Sequence, residues 1–333
     1  METAYASAPT SEQCISGNVA LMTESRPLPT WIALGGAVSI GAMTAVQARI
    51  NGVLGVRIDD GIVAGLVSFG VGLVFLAVLM LSIRSARDGA KRMFSGIRRR
   101  TIPFWMLLGG TCGALTVSTQ GFVAGVLGVS LFTVGVVAGQ TLHGLLLDRI
   151  GFGPSGVVAV TPGRVIGGFL ALAAVAISLG GDVLAHAPLW LLLLPFFAGA
   201  GIAWQAAANG RLARTVSSPL SATLMSFISG TTVLILASVI SIAVRGMPGA
   251  FPAEPWLYLG GLLGFTYILL GAYLVVHTGV LLLGLGSVLG QLVTSIAIDL
   301  IWPVDAGPAI WQLVAMVVVA VASVIVAMPR RQR

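Results

Sequence analysis

Long apolar runs alternate with short polar clusters along most of this chain. A helix that crosses a bilayer needs about 20 consecutive, mostly apolar residues. Ten stretches meet that requirement: residues 31–53, 61–83, 103–126, 130–150, 163–181, 189–210, 218–244, 255–277, 280–301 and 309–328. Pro103, Pro188, Pro219 and Pro255 stand near predicted starts, where a missing backbone N–H costs nothing. Pro195 falls inside the sixth stretch and predicts a bend there. The pattern predicts an all-α polytopic membrane protein of about ten transmembrane helices.

Composition supports the same solvent. Of 333 residues, 57% are hydrophobic and 9% charged, against about a quarter charged in a soluble domain. A net charge of +7 does not imply a nucleic-acid partner. The basic residues cluster between apolar spans and are not interleaved with aromatic platforms. With the N-terminus in the cytoplasm, fifteen of the 18 Lys and Arg fall on inner segments. Seven of them lie in the 84–102 loop; only Arg49, Arg57 and Arg245 fall outside. That is the positive-inside pattern, with both termini cytoplasmic.

The 84–102 loop reads as a topology anchor touching anionic lipid heads; a regulatory partner site is the other reading. Trp31, Trp105, Trp190, Trp256 and Trp311 lie near span starts and read as interface anchors. Residues 1–30 hold no apolar signal-peptide core, so the first span is expected to direct insertion. Cys14 in the polar tail and Cys112 in an apolar span make no disulfide framework.

The chain also repeats itself. GAMTAVQARINGVL at 41–54 and GAGIAWQAAANGRL at 199–212 share eight of fourteen positions at an offset of 158. The same offset pairs Ser68 and Phe69 with Ser226 and Phe227, and Gly72 with Gly230. Further on the offset becomes 151. Trp105 then pairs with Trp256, Gly109 and Gly110 with Gly260 and Gly261, and Gly113 with Gly264. Gly135, Gly139 and Gln140 pair with Gly286, Gly290 and Gln291, and Asp148 pairs with Asp299. The change falls in the loop after the second span, strongly basic in the first half and nearly neutral in the second. Five spans is an odd number, so consecutive five-helix repeats are expected to lie upside down relative to each other. Such inverted repeats place a transport site near the midplane.

Polar side chains in hydrocarbon are costly unless partnered or hydrated. Gln47 and Asn51 share one helix face, and Gln205 and Asn209 repeat the arrangement. Their amides both donate and accept, which suits an uncharged polar or zwitterionic solute; interhelical hydrogen bonding is the competing role. Gln140 and Gln291 sit near mid-span and are the better cavity candidates, although each follows a small-x-x-x-small pattern that brings helices close. Gln120 has Gly271 as its counterpart, so its role would be asymmetric. His143 shares a face with Gln140 and could relay protons or be hydrogen-bonded structure. Asp148 and Asp299 oppose the helix dipole at C-terminal ends and call for partners, with Arg149 or Arg164 suited to Asp148. Trp204, Tyr267 and Tyr273 could stack a planar ring or fill core. No phosphate loop, metal-ligand cluster or catalytic triad pattern is present, so no cofactor, metal or enzymatic activity is expected.

The QARING and QAAANG segments, with the Gly-Gln pairs and following acids at Gly139, Gln140, Asp148 and Gly290, Gln291, Asp299, resemble the YdcZ-type branch of the drug/metabolite transporter superfamily in its fused two-repeat form. The resemblance covers residues 31–328. It implies ten helices around a central cavity and export of a metabolite or drug across a bacterial inner membrane. The expected organisation is a polar tail at 1–30, repeats at 31–181 and 189–328, and a basic tail at 329–333. Small multidrug transporters of that superfamily use a buried glutamate in their first helix; here the first span holds no acidic residue. The expected function is a secondary transporter or facilitator of a small organic metabolite, working by alternating access. Proton-coupled multidrug efflux and a non-transporting scaffold or sensor are the alternatives. The expected partners are a small-molecule solute and membrane lipids, with homodimerisation open.

Overall fold

The computed structural model describes residues 28–159, 161–178 and 193–301, and the isolated positions 317, 318, 321, 324 and 325. Every regular element among the described residues is a helix. In order these are α1 (Thr30–Arg57), α2 (Gly61–Ser82), α3 (Arg84–Arg98), α4 (Gly109–Arg149), α5 (Pro162–Ser178), α6 (Leu193–Thr215), α7 (Pro219–Arg245) and α8 (Gly260–Ile301). Short 3₁₀ turns, Phe104–Leu108 and Pro255–Tyr258, lead into α4 and α8. Among the described residues four segments are long and apolar enough to cross a membrane: Thr30–Arg57, Gly61–Ser82, Pro219–Arg245 and Pro255–Ser295.

The paired stretches 103–126 with 130–150, and 255–277 with 280–301, follow one another end to end in the runs α4 and α8, and each run turns back on itself. The rings of Trp105, ahead of α4, and Phe152, after it, lie 4.6 Å apart, whereas a straight helix of that length would separate them by about 60 Å. Along α1, Gly260 meets Asn51 and Gly271 meets Ile40, while Gly286 meets Ala37 and Gly290 meets Val38. In α8 the run is interrupted at Gly279, with φ 74° and ψ 173°, a backbone conformation that a Cβ would oppose. At the offset of 151, Gly279 falls opposite Gly128. The basic 84–102 segment, expected as a loop, is helical over Arg84–Arg98. Ala86, Gly89, Met93 and Ile97 recur at three- and four-residue spacing and make one face. Ala86, Gly89 and Met93 are buried, and Met93 packs with Ile102, Met106, Leu212 and Val216. From the same helix Arg92 donates to the carbonyls of Val216 and Ser217. Pro195 lies near the start of the described part of α6. The stretch 179–192 and most of the tenth predicted span lie outside the described residues.

α1 passes into α2, and α6 into α7, through the same kind of turn. Asp59 and Ser217 adopt positive φ, 54° and 49°. The next residues cap the helices. Asp60 Oδ1 accepts from the N–H groups of Ile62 and Val63 at 2.9 and 3.0 Å, and Ser218 Oγ from that of Ser221 at 3.2 Å. These bonds satisfy donors that the first helical turn cannot. The first of these turns is further held by Gly249, whose N–H donates to the Ile58 carbonyl at 2.8 Å. Beside it Arg57 pairs with Glu254 and holds that carboxyl below its ordinary range through a hydrogen bond.

The halves meet through glycines whose contacts exchange under the two offsets. A Cβ on Gly139 would overlap the Phe196 carbonyl oxygen, and one on Gly290 would overlap that of Val38. Gly41 meets Ser287 as Gly199 meets Val136, and Gly110 meets Ser226 as Gly261 meets Ser68. Gly72 abuts Phe227, Gly230 abuts Phe69, and the two phenylalanine rings lie 5.0 Å apart. Thus α1 packs on α8 and α6 on α4, each the first helix of one half against the later helices of the other. Only small residues allow backbones to approach so closely. Away from these contacts, Val74, Phe75, Val78 and Leu81 on α2 and Leu236, Val239, Ile240 and Val244 on α7 are exposed. Stripes of this kind suit lipid and not water.

Candidate solute pathway

The crossing of α1, α4, α6 and α8 leaves a cavity with about 600 Å³ of unfilled space, its mouth included. The walls are mostly apolar: Ile40 from α1, Ile202, Ala203 and Ala206 from α6, and Ile268, Ala272, Val280 and Leu283 from α8. Its polar groups are Thr44, Gln140, Gln205, Asn209, Tyr267, Ser287 and Gln291. Gln140 Oε1 and Gln205 Nε2 are buried without a protein partner among the described residues. Buried amide groups left in this way cost about 1–3 kcal/mol each.

The structure separates the residues singled out in the sequence. Gln140, Gln205, Asn209, Tyr267 and Gln291 line the cavity. Gln47 does not; its Nε2 donates to the Gly260 carbonyl at 2.9 Å. Asn51 Nδ2 donates to Gln120 Oε1 at 3.2 Å. Trp204 packs in the apolar cluster beside Phe152, ring centres 6.2 Å apart. His143 is half-buried on α4 and is not among the lining residues. Thr44, Ile202 and Ser287 line the cavity but drew no notice in the sequence. Thr44 and Ile202 differ by 158, so the offset that revealed the repeat could also have paired these two.

A second, smaller void, with about 300 Å³ of unfilled space, its open margin included, lies beyond a wall formed by Thr44, Ile202 and Gln291. These three residues line both cavities. The smaller one is otherwise lined by Ala45, Ala48, Thr116, Gln120, Phe132, Val136 and Ser295. Under the repeat offsets Ala45 corresponds to Ala203, Ala48 to Ala206, Thr116 to Tyr267, Gln120 to Gly271, Phe132 to Leu283 and Val136 to Ser287. Thr44 and Ile202 correspond to each other, as do Gln140 and Gln291. Every lining residue of the smaller cavity except Ser295 is thus the counterpart of a residue lining the larger.

At one end of the larger cavity sits a buried charge. Asp148 is 1% exposed and Arg164 8%. Arg164 Nη2 donates to Asp148 Oδ2 at 2.8 Å. The same carboxylate accepts from the N–H of Val280 at 2.9 Å and of Leu281 at 3.1 Å. Asp148 therefore caps the helical segment that restarts after Gly279, where unpaired N–H groups and the helix dipole favour an anion. Nearby, Arg211 lies 5.8 Å from the ring centres of both Trp105 and Phe152. It also donates to the carbonyls of Gly151 and Gly153. The side chain of Asp299, the counterpart of Asp148, lies outside the described residues.

Apolar helices crossed around an open, mostly apolar cavity that carries a few carboxamides and hydroxyls suit a polytopic membrane protein, and the family match places it in the transporter class. Residues 29–177 and 190–326 match the family described as "Putative inner membrane exporter, YdcZ", and the chain belongs to that family. No curated protein matches it. A solved structure described only as "Crystal structure of protein" is similar in fold, with a TM-score of 0.61 at 16% identity, covering 89% of this chain and 95% of its own.

Proposed function

We propose that the protein exports a small, uncharged polar or zwitterionic metabolite across the inner membrane by alternating access. It uses ten spans arranged as two inverted five-helix repeats. The observation that carries this reading is the correspondence between the two cavities. Exchanging the conformations of the halves would turn the larger cavity into the smaller and the reverse. One solute would then meet equivalent surfaces from each side in turn. The larger cavity lies toward the end that holds Arg164, Arg211 and Arg214, which supports a cytoplasmic opening under the positive-inside pattern. The polar groups of its lining are carboxamides and hydroxyls, which suit solute hydrogen bonding better than proton or cation coupling. Gln140 and Gln291, exchanged by the repeat, are the central contacts.

Metabolite profiling of cells and medium tests the proposal. Cells expressing the intact protein are expected to release one solute that those expressing a membrane-inserted Gln140→Leu/Gln291→Leu variant retain, with a loss of at least about tenfold in flux from two amide contacts. Equal release by both proteins would remove the glutamines from the site. Release by neither, with both inserted, would favour a scaffold.

A further inference from the structure

The two cavities correspond in position but not in chemistry. Where the larger cavity has Gly271, the smaller has Gln120. Gln120 is fully buried and accepts the hydrogen bond from Asn51, bridging α1 and α4 across the smaller cavity's edge. On the other side Asn209, the counterpart of Asn51, has no such partner on α8 among the described residues. Its Oδ1 instead accepts from Ser226 Oγ at 2.7 Å. The counterpart of Ser226 is Ser68, whose hydroxyl is buried without a partner among the described residues. Asn51 has thus exchanged Ser68 for Gln120.

We propose that Gln120 makes the two-sided pathway unequal: its carboxamide locks the smaller cavity shut through Asn51, and the larger cavity has no lock because Gly271 stands at the equivalent place. This inference rests on the alternating-access reading above. One hydrogen bond is enough to bias such an equilibrium, since a net contribution of about 1 kcal/mol is roughly a fivefold change in population. The Nε2 of Gln120, buried without a partner among the described residues, would become available to an acceptor group of the solute once the lock opens.

The site also admits its own reversal. A Cβ built on Gly271 meets nothing closer than Ile40 Cδ1 at 3.9 Å, so a side chain can start there without a clash, and Gly271→Gln puts a carboxamide at the counterpart of Gln120. The test uses the full-length protein in sealed vesicles with Cys14 and Cys112 replaced by alanine. Single cysteines at the counterparts Ala48 and Ala206 report on the smaller and larger cavities. The probe is a membrane-impermeant maleimide added from either side.

In the parent, Ala206→Cys should label from the cytoplasmic side and Ala48→Cys only slowly from the outer side. Gln120→Gly should raise outer labelling of Ala48→Cys about fivefold and lower that of Ala206→Cys. Asn51→Ala should act in the same direction, and adding Gly271→Gln should carry the shift further. Rates within twofold of the parent, in correctly inserted variants with the parent's sidedness intact, would overturn the lock and leave the transport reading standing. Labelling of both cysteines from one side only would overturn both.

Discussion

Gly139→Leu and Gly290→Leu are each expected to prevent assembly of the folded protein, at a cost of at least about 3 kcal/mol. At either position the first atom of a side chain would overlap a main-chain carbonyl, of Phe196 or of Val38. A flexible neighbour could turn aside; a carbonyl inside a helix cannot move without breaking that helix. The two substitutions should behave alike because the repeat makes their surroundings alike. Gly52 is the control. It lies in the same bundle, yet a Cβ there meets nothing within 4 Å. Gly52→Ala should be neutral or stabilising by up to about 1 kcal/mol, from helix propensity alone. Thermal unfolding in detergent, followed by size-exclusion recovery, separates the outcomes. A Gly139→Leu protein that stays monodisperse with the parent's midpoint would refute the packing.

The second large effect is expected at Asp148. Its carboxylate serves Arg164 and the N–H groups of Val280 and Leu281. Asp148→Ala removes all three partners at once and leaves a buried guanidinium uncompensated, a loss of about 3–5 kcal/mol. Asp148→Asn keeps an oxygen for the main-chain donors and should lose less. This ordering distinguishes a helix cap from a simple ion pair. If only the charge pair mattered, Asp148→Ala/Arg164→Met would recover parental stability. With the cap, that double variant should remain between the parent and Asp148→Ala. Val280 also lines the larger cavity, so solute flux should fall with the cap even at temperatures where the protein remains folded.

Much of this molecule was legible in its sequence, for reasons that lie in the bilayer. Lipid accepts only elements whose main-chain groups are paired internally, helices or closed barrels, and runs of about 20 apolar residues fit the helix, so apolar run length marks the membrane-crossing elements. The repeat was legible because close helix crossings admit only small residues. Gly41 and Gly199, or Gly139 and Gly290, therefore recur at fixed offsets and locate the contacts before any coordinate is known. The carboxamides at Gln140, Gln205, Asn209 and Gln291 stood out because an apolar solvent makes polar groups conspicuous.

Other features came only from the folded arrangement. The helix Arg84–Arg98 is too polar to register as a span; it gains its place by burying Met93 against Leu212 and Val216, residues distant in the chain. Gln47 and Gln205 are equivalent in sequence, yet Gln205 lines the larger cavity while Gln47 binds the Gly260 carbonyl. A repeat specifies equivalent positions, but the two halves pack differently around the cavities, so equivalent residues acquire unequal surroundings. By itself the sequence determined the apolar solvent, the long apolar helices and the internal repeat, because these depend on local composition and spacing. Only the tertiary structure decided which copy of each pair lines the larger cavity and what Asp148 caps, because those depend on how the two halves are tilted against each other.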